Sequence, residues 1–236
     1  MIYFTGCVVR KKLPEIADAT EKILKNAGIE YEILKNEGCC GSPLLRTGFQ
    51  DEALEVMEKT SRNLEGEKIL VSCAGCYKTL KNDYKELLGV DLDVVHTSQL
   101  FNTLIEEGRL KLKKLPWTVT YHDPCHLGRH CGVYSEPRKV LNQTAELVEM
   151  DKNLEESRCC GAGGGVKSAY PETAIKTGKS RIQDAEATGS RLLVSSCSFC
   201  ILNLKDALRN SKNDDEGFNI SNVLDISQLV LMGLEQ

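Results

Sequence analysis

Hydrophobic and polar positions along this chain switch repeatedly between a period of two and a period near 3.6. Residues 1–5 read as a strand that ends at Cys7. Leu13, Ile16, Thr20, Ile23, Leu24 and Ala27 then keep a helical period, with Pro14 near the first turn and Gly28 as the stop. Residues 29–34 supply a strand, residues 49–64 a helix with Ala53, Val56, Met57 and Thr60 along one side, and residues 68–72 a third strand. A helix over 77–88, a short strand over 92–96 and a helix over 99–107 complete this half. The second half repeats the order: strand 118–122, helix 136–143, strand 146–150, helix 168–187, strand 191–195 and helix 201–209. Strands alternating with helices predict parallel sheets, in which functional groups collect where strands hand over to helices.

The repetition extends to irregular features. The first half carries Cys7, then Cys39-Cys40-Gly41, then Cys73-Ala74-Gly75-Cys76. The second carries Cys125, then Cys159-Cys160-Gly161, then Cys197-Ser198-Phe199-Cys200. Each closing C-x-x-C follows an apolar strand ending in serine, and a Ser-Gln-Leu segment follows each (Ser98 to Leu100, Ser227 to Leu229). Matched irregular features at several offsets indicate internal duplication. The expected fold class is therefore α/β: two tandem, duplicated, three-layer-like modules with parallel sheets and pseudo-two-fold symmetry. The first module covers residues 1–110 and the second 116–236. The Lys-rich stretch 108–117 reads as their link, and 211–217 as a polar loop.

Composition narrows the function. The 236 residues are 41% hydrophobic and 27% charged, which suits a folded globular chain. A formal charge of -4 and a single Trp argue against a nucleic-acid surface. No apolar run reaches the roughly 18 residues of a membrane span, and the opening residues do not read as an export signal. The expected location is cytoplasmic, with any membrane association made through a partner. Eleven Cys in such a chain speak against a disulfide framework and for metal, iron–sulfur or redox chemistry.

Each half offers five well-placed thiols, whereas a structural zinc needs four. A thioredoxin-like exchange site needs only one C-x-x-C. Adjacent cysteines fit one tetrahedral ion poorly, but they can reach different metals of a cluster. The soft-ligand count points to iron–sulfur clusters, with zinc plus a spare thiol as the weaker alternative. Gly41 and Gly161 relieve crowding behind the vicinal pairs and free backbone N–H groups to face sulfur. Gly163 and Gly164 extend the second glycine run, which reads either as a flexible turn or as a close backbone approach to cluster or substrate. The run lacks a P-loop continuation, so nucleotide binding has little support. His122 and His126 flank Cys125 and are candidates for structural, cluster-neighbouring or proton-transfer roles. Arg129 and Lys167 are candidates to neutralise a cluster or an anionic substrate. Cys131 falls outside the repeat and reads as a small core residue. His96 is matched by Asp225 in the duplicate, which argues against a common chemical role for that position.

These motifs resemble the cysteine-rich CCG family, which includes the catalytic B chain of heterodisulfide reductases and the equivalent region of their D chain. Tyr121-His122-Asp123-Pro124-Cys125-His126-Leu127-Gly128-Arg129 is similar to the opening of the family's second module, and Arg158-Cys159-Cys160-Gly161-Ala162-Gly163-Gly164-Gly165 to its centre. The resemblance implies one noncubane [4Fe-4S] cluster per module. Cys7, Cys39, Cys40, Cys73 and Cys76 would hold one, and Cys125, Cys159, Cys160, Cys197 and Cys200 the other. It further implies one-electron reductive cleavage of a disulfide lying between the clusters, in the family the mixed disulfide of coenzyme M and coenzyme B used in methanogenesis. Cys40, Cys160, His122, His126 and Lys167 are the candidate catalytic residues. Gly41, Gly161, Gly163, Gly164 and Arg129 are the candidates to contact the cofactor. A ferredoxin-like iron–sulfur subunit and a flavoprotein are the expected partners, with a small disulfide or its thiols as ligand. The alternative is an electron-transfer subunit linking a flavoprotein dehydrogenase of lactate, glycerol-3-phosphate or fumarate/succinate type to a quinone or other carrier.

Overall fold

The computed structural model describes residues 1–213 and 219–235. In the first half, β1 (Ile2–Phe4) leads into α1 (Cys7–Lys12) and α2 (Pro14–Asn26). Then follow α3 (Ser42–Arg46), α4 (Gln50–Ser61), β2 (Lys68–Val71), α5 (Ala74–Lys78), a π turn (Thr79–Asp83), α6 (Tyr84–Leu88), β3 (Asp93–His96) and α7 (Thr97–Glu106). The second half has β4 (Thr118–His122), α8 (Ser135–Thr144), β5 (Glu146–Leu147), α9 (Val166–Ala169), α10 (Pro171–Glu186), β6 (Leu192–Ser195), α11 (Ser198–Asn213), β7 (Asn222–Asp225) and α12 (Ile226–Gly233).

All strand pairs are parallel. The first sheet runs β1-β2-β3 and the second β5-β4-β6-β7. A parallel bridge from Ile2 to Glu32 stands where β5 stands in the second sheet, so both halves share one strand order. The α/β duplication with parallel sheets is thus the observed architecture. Several expected elements differ in extent. The expected strand 29–34 shrinks to that single bridge, and strand 146–150 to two residues. The expected helix 168–187 is broken at Tyr170, because Pro171 excludes α conformation from the residue before it and starts α10 instead. The short helix α1 was not signalled by periodicity, nor were β7 and α12. The expected polar loop 211–217 has its first three residues in α11, and the rest lie outside the described residues.

Strand alternation sorts side chains into two cores. Ile2, Phe4, Ile69 and Val71 enter the core that contains the cysteines. Tyr3 and Leu70, pointing the other way, enter a second core with Tyr121 and Val194. That second core is filled by Ile23 and Leu24 of α2, Phe101 and Leu104 of α7, Leu141 of α8 and Leu229 and Val230 of α12. Helices from both halves therefore pack between the two sheets. The segment after α7 does not hang free either: Lys113 N donates to Gly233 O at 2.8 Å and Leu115 N to Thr144 O at 2.8 Å. Among the described residues no helix is long and apolar enough to cross a membrane.

Candidate metal centre

Local geometry explains how each half gathers its thiols. Cys7 opens α1 directly after β1, and Gly6 before it takes φ +81, a region costly to other residues. A Cβ on Gly6 would also lie 3.2 Å from Cys76 Sγ, so the glycine lets the backbone approach that sulfur. Cys73 caps α5 at the end of β2, and Cys76 sits in the first turn. Gly41 and Gly161 adopt φ +86 and +88 behind the vicinal pairs. Gly161 N donates to Cys159 Sγ at 3.3 Å, and the Gly41 amide favours the Cys39 thiolate in the same way.

The ten repeat cysteines form one continuous run of thiol contacts. From the first half it passes Cys7, Cys39, Cys40, Cys76 and Cys73. Cys73 meets Cys197, and the run continues through Cys200, Cys160 and Cys159 to Cys125. The crossing point joins the two C-x-x-C segments. Cys131 lies apart, with Asn82 Nδ2 3.7 Å from its sulfur and burial pushing its pKa up to about 11.

Crowding splits the proton affinities. Donation from Cys40 and Cys7 holds Cys39 well below the usual thiol range, and donation from Cys125 and Cys160 does the same for Cys159. Cys7 and Cys125 are pushed up, first by those same bonds and then by burial. Every thiolate formed here raises its neighbours, so ten sulfurs cannot all ionise without added positive charge. Soft, multinuclear cations would resolve that conflict, and the vicinal pairs suit adjacent metal atoms. The donor set fits an iron–sulfur centre on each side.

Polar clamps hold the cysteine loops, and sequence reasoning missed most of them. The buried Glu37 carboxylate accepts from Thr5 N at 2.7 Å, Gly6 N at 2.8 Å and Arg10. Asp123, inside the quoted second-half motif, is gripped by Arg138 at 2.7 and 2.9 Å and by Leu154 N at 3.0 Å. Asn203 donates to Cys160 O at 2.6 Å and Ala174 O at 2.8 Å. Lys167 Nζ is bound to Asn203 Oδ1 at 2.8 Å and Asp206 Oδ2 at 2.7 Å, so its charge is already partnered. Arg129 does not face the cysteines' open side; it donates to Ser157 O at 2.6 Å, two residues before Cys159.

His122 is fully enclosed, and burial followed by Arg181 lowers its pKa to about 3. Arg181 Nε donates to its Nδ1 at 3.1 Å, and a ring nitrogen lies within 4.8 Å of the Cys160 and Cys200 sulfurs. No sequence signal distinguished Arg181 from the exposed basic residues of a helix. His126 reaches across the halves: a Cβ on Gly75 would be 3.9 Å from its Nδ1. Burial and then His130 lower the His126 pKa.

A cavity of about 960 Å³ opens between the halves. Cys125, Cys159, Cys160, Cys197 and Cys200 all line it, together with His126, Lys167, Gly163 and Gly164. From the first half come Ser42, Arg46, Phe49 and Gly75, but none of that half's sulfurs. Cys7, Cys40, Cys73 and Cys76 border a separate void of only about 10 Å³, lined also by Val8, Pro43 and Phe199. The larger open space thus adjoins the second set. Arg46 is paired with Asp83 at 2.5 Å, and Asp83 also takes Lys78, which leaves a surplus positive charge beside the cavity.

The family model for the cysteine-rich domain CCG matches residues 1–81 and 119–205. The chain is 43% identical over 228 residues to the D chain of dihydromethanophenazine:CoB–CoM heterodisulfide reductase from Methanosarcina acetivorans, covering 92% of this chain and 56% of that protein. It is 40% identical to the B chain of fumarate reductase (CoM/CoB) from Methanothermobacter marburgensis, covering 95% and 46%. It is 31% identical to EtfAB:quinone oxidoreductase of Syntrophomonas wolfei, covering 99% and 34%. The chain thus spans about half the length, or less, of the curated relatives it matches. A hypothetical protein from Helicobacter pylori shares the fold, with a TM-score of 0.65 at 10% identity over 100% of this chain and 49% of its own.

Proposed function

The chain belongs to the cysteine-rich CCG domain family, and on that premise we propose that it is an iron–sulfur catalytic subunit that reduces a disulfide to two thiols. The observation that carries this reading is the cavity walled by five convergent cysteines and closed on its far side by the other half. We assign one noncubane [4Fe-4S] cluster to Cys7, Cys39, Cys40, Cys73 and Cys76, and one to Cys125, Cys159, Cys160, Cys197 and Cys200. Such centres would supply electrons singly, as a disulfide accepting two electrons and two protons becomes two thiols.

The chain's own residues do the remaining work. Residues 1–110 and 116–236 form the two modules, and both contribute to the cavity wall. His126, on the cavity wall, is placed to relay a proton to a departing thiolate. Lys167 acts through Asn203 and Asp206 to fix the loop of Cys160, and Arg129 fixes the approach to Cys159. Gly163 and Gly164, with open space beside them, let a ligand approach the backbone. The surplus charge at Arg46 and Lys78 favours an acidic disulfide such as that of coenzyme M and coenzyme B. A ferredoxin-like protein and a flavoprotein deliver the electrons, in the cytoplasm or at a membrane face reached through those partners.

The likeness to EtfAB:quinone oxidoreductase favours a second reading, relay of electrons without a disulfide. Anaerobic purification separates the classes. About eight irons with matching sulfide per chain are expected for two four-iron centres. Stoichiometric zinc in a colourless protein would remove both readings. Thiol release from an added acidic disulfide by the reduced protein supports catalysis, and indifference to every disulfide supports relay.

A further inference from the structure

The second cysteine set has a buried imidazole where the matching position of the first has a phenyl ring. His122 ends β4 three residues before Cys125, whereas Phe4 ends β1 three residues before Cys7. A ring nitrogen of His122 and the sulfurs of Cys160 and Cys200 lie within 4.8 Å of one another. Such a trio could be read as a metal site with His122 as a ligand, but the hydrogen bonding of the ring opposes that.

Arg181 decides the tautomer. A guanidinium only donates, so the Nδ1 that receives Arg181 Nε at 3.1 Å must carry a lone pair and no proton. Arg181 cannot turn away: it is fully buried, its Nη1 bonded to Lys152 O at 2.9 Å and Asp184 at 3.2 Å, its Nη2 to Ser157 Oγ at 3.1 Å. A neutral imidazole with a bare Nδ1 carries its proton on Nε2. That Nε2 is buried with no hydrogen-bond partner in the chain, cysteine sulfur included, which leaves its proton for a group held by the second cysteine set. A histidine ligating metal shows the reverse arrangement, with its second nitrogen donating to an acceptor.

We propose that His122, held as the Nε2–H tautomer by Arg181, donates a hydrogen bond to sulfur of the second centre and makes that centre easier to reduce than it would be without the donor. The inference rests on the reading that the second cysteine set holds an iron–sulfur group. Reduction adds negative charge, and an N–H donor stabilises that charge more than it stabilises the oxidised form. Phe4 offers nothing equivalent. The donor sits on the side whose sulfurs line the cavity.

Two measurements test this, one of them independent of any metal. In the metal-free chain labelled with ¹⁵N, multiple-bond ¹H–¹⁵N correlation should show His122 with a bare Nδ1 and a protonated Nε2. A protonated Nδ1, or an imidazolium at neutral pH, overturns the proposal whatever the cofactor. In the iron-loaded chain, a redox titration followed by electron paramagnetic resonance compares His122→Phe, which copies the first half, with His122→Gln, which keeps an N–H donor. His122→Phe should disfavour reduction of one centre about tenfold, equivalent to about 59 mV for one electron, while leaving the other in place. His122→Gln should recover most of that loss. Unmoved potentials, or equal shifts of both centres, overturn the proposal. Should His122→Phe lose a centre outright, the tautomer of the unaltered chain decides.

Discussion

The two halves deliver their five thiols on one scaffold but secure them by different means. In the first, a single buried carboxylate, Glu37, gathers the backbone of Thr5 and Gly6 and is neutralised by Arg10. In the second, Ser157 takes the place two residues before the vicinal pair, and arginines do the fastening: Arg129 and Arg181 on Ser157, Arg138 on Asp123. The closing motifs differ as well. Gly75 leaves room beside the second set, while Phe199, its counterpart, lines both the large cavity and the small void of the first set. A duplication keeps what the sulfurs need and frees the surrounding positions to diverge. Here the divergence places the larger cavity beside the second set.

Equal need for the ten sulfurs is the part of this contrast most easily broken. Cys160→Ala should lose about half of the bound iron and lower thiol release by more than about a hundredfold, beyond what losing a neighbour of a metal ligand costs. Cys40→Ala should give the same iron count, read by iron assay. Retention of all iron in either variant removes the ligand assignment. Next in size are the clamps. Glu37→Ala strands two buried amides and Arg10 and should cost about 3 kcal/mol. Asp123→Ala leaves Arg138 still joined to Glu149 and should cost nearer 2 kcal/mol, both read as shifts in a urea midpoint.

Phe199 borders the small void beside the first set. In the metal-free chain, Phe199→Ala should speed alkylation of Cys40, Cys73 and Cys76 severalfold by mass spectrometry, with Cys159 little changed. Equal rates would show that Phe199 is not the barrier.

Two equivalent helix caps give opposite pH dependence. His96 Nδ1 and Asp225 Oδ1 each accept from a serine amide two residues on, and Gln99 and Gln228 bond back to the caps. Burial lowers His96 to about 4 and raises Asp225 to about 7. Unfolding lets His96 take up a proton, so its contribution is present above pH 6.5 and lost as pH falls toward 4. Folded Asp225 holds its proton more tightly than the unfolded chain, so stability declines as pH rises from about 4 to 7. Asp225→Asn should flatten that decline and His96→Asn the acid limb, in denaturation of the metal-free chain across pH. Unchanged profiles would show both groups reached by water. The smallest effect belongs to Cys131→Ala: iron and activity kept, at a cost of about 1 kcal/mol for the lost packing.

Those caps also show where sequence reasoning stops. His96 and Asp225 differ chemically, yet both have a side-chain acceptor that reaches an amide two residues on, and the fold uses them alike. Glu37 and Ser157 are unlike residues at equal offsets, with no periodic or motif signal to mark them. Arg181 belongs to α10 and reads from sequence as a solvated basic residue, but helix packing carries it inside to His122. Strands 29–34 and 146–150 were overextended because alternation reports a suitable face, not how much of the neighbouring strand is available to pair.

Local order along the chain was enough to establish the duplication, the parallel α/β class and the ten repeated thiols, because periodicity, turn glycines and motif spacing act over short separations. Which set meets the open cavity, which tautomer His122 adopts and how the halves share a core depend on contacts between residues tens of positions apart. Those contacts exist only once the two sheets have packed their helices against each other. Burial then sets the proton positions and decides which sulfurs remain within reach.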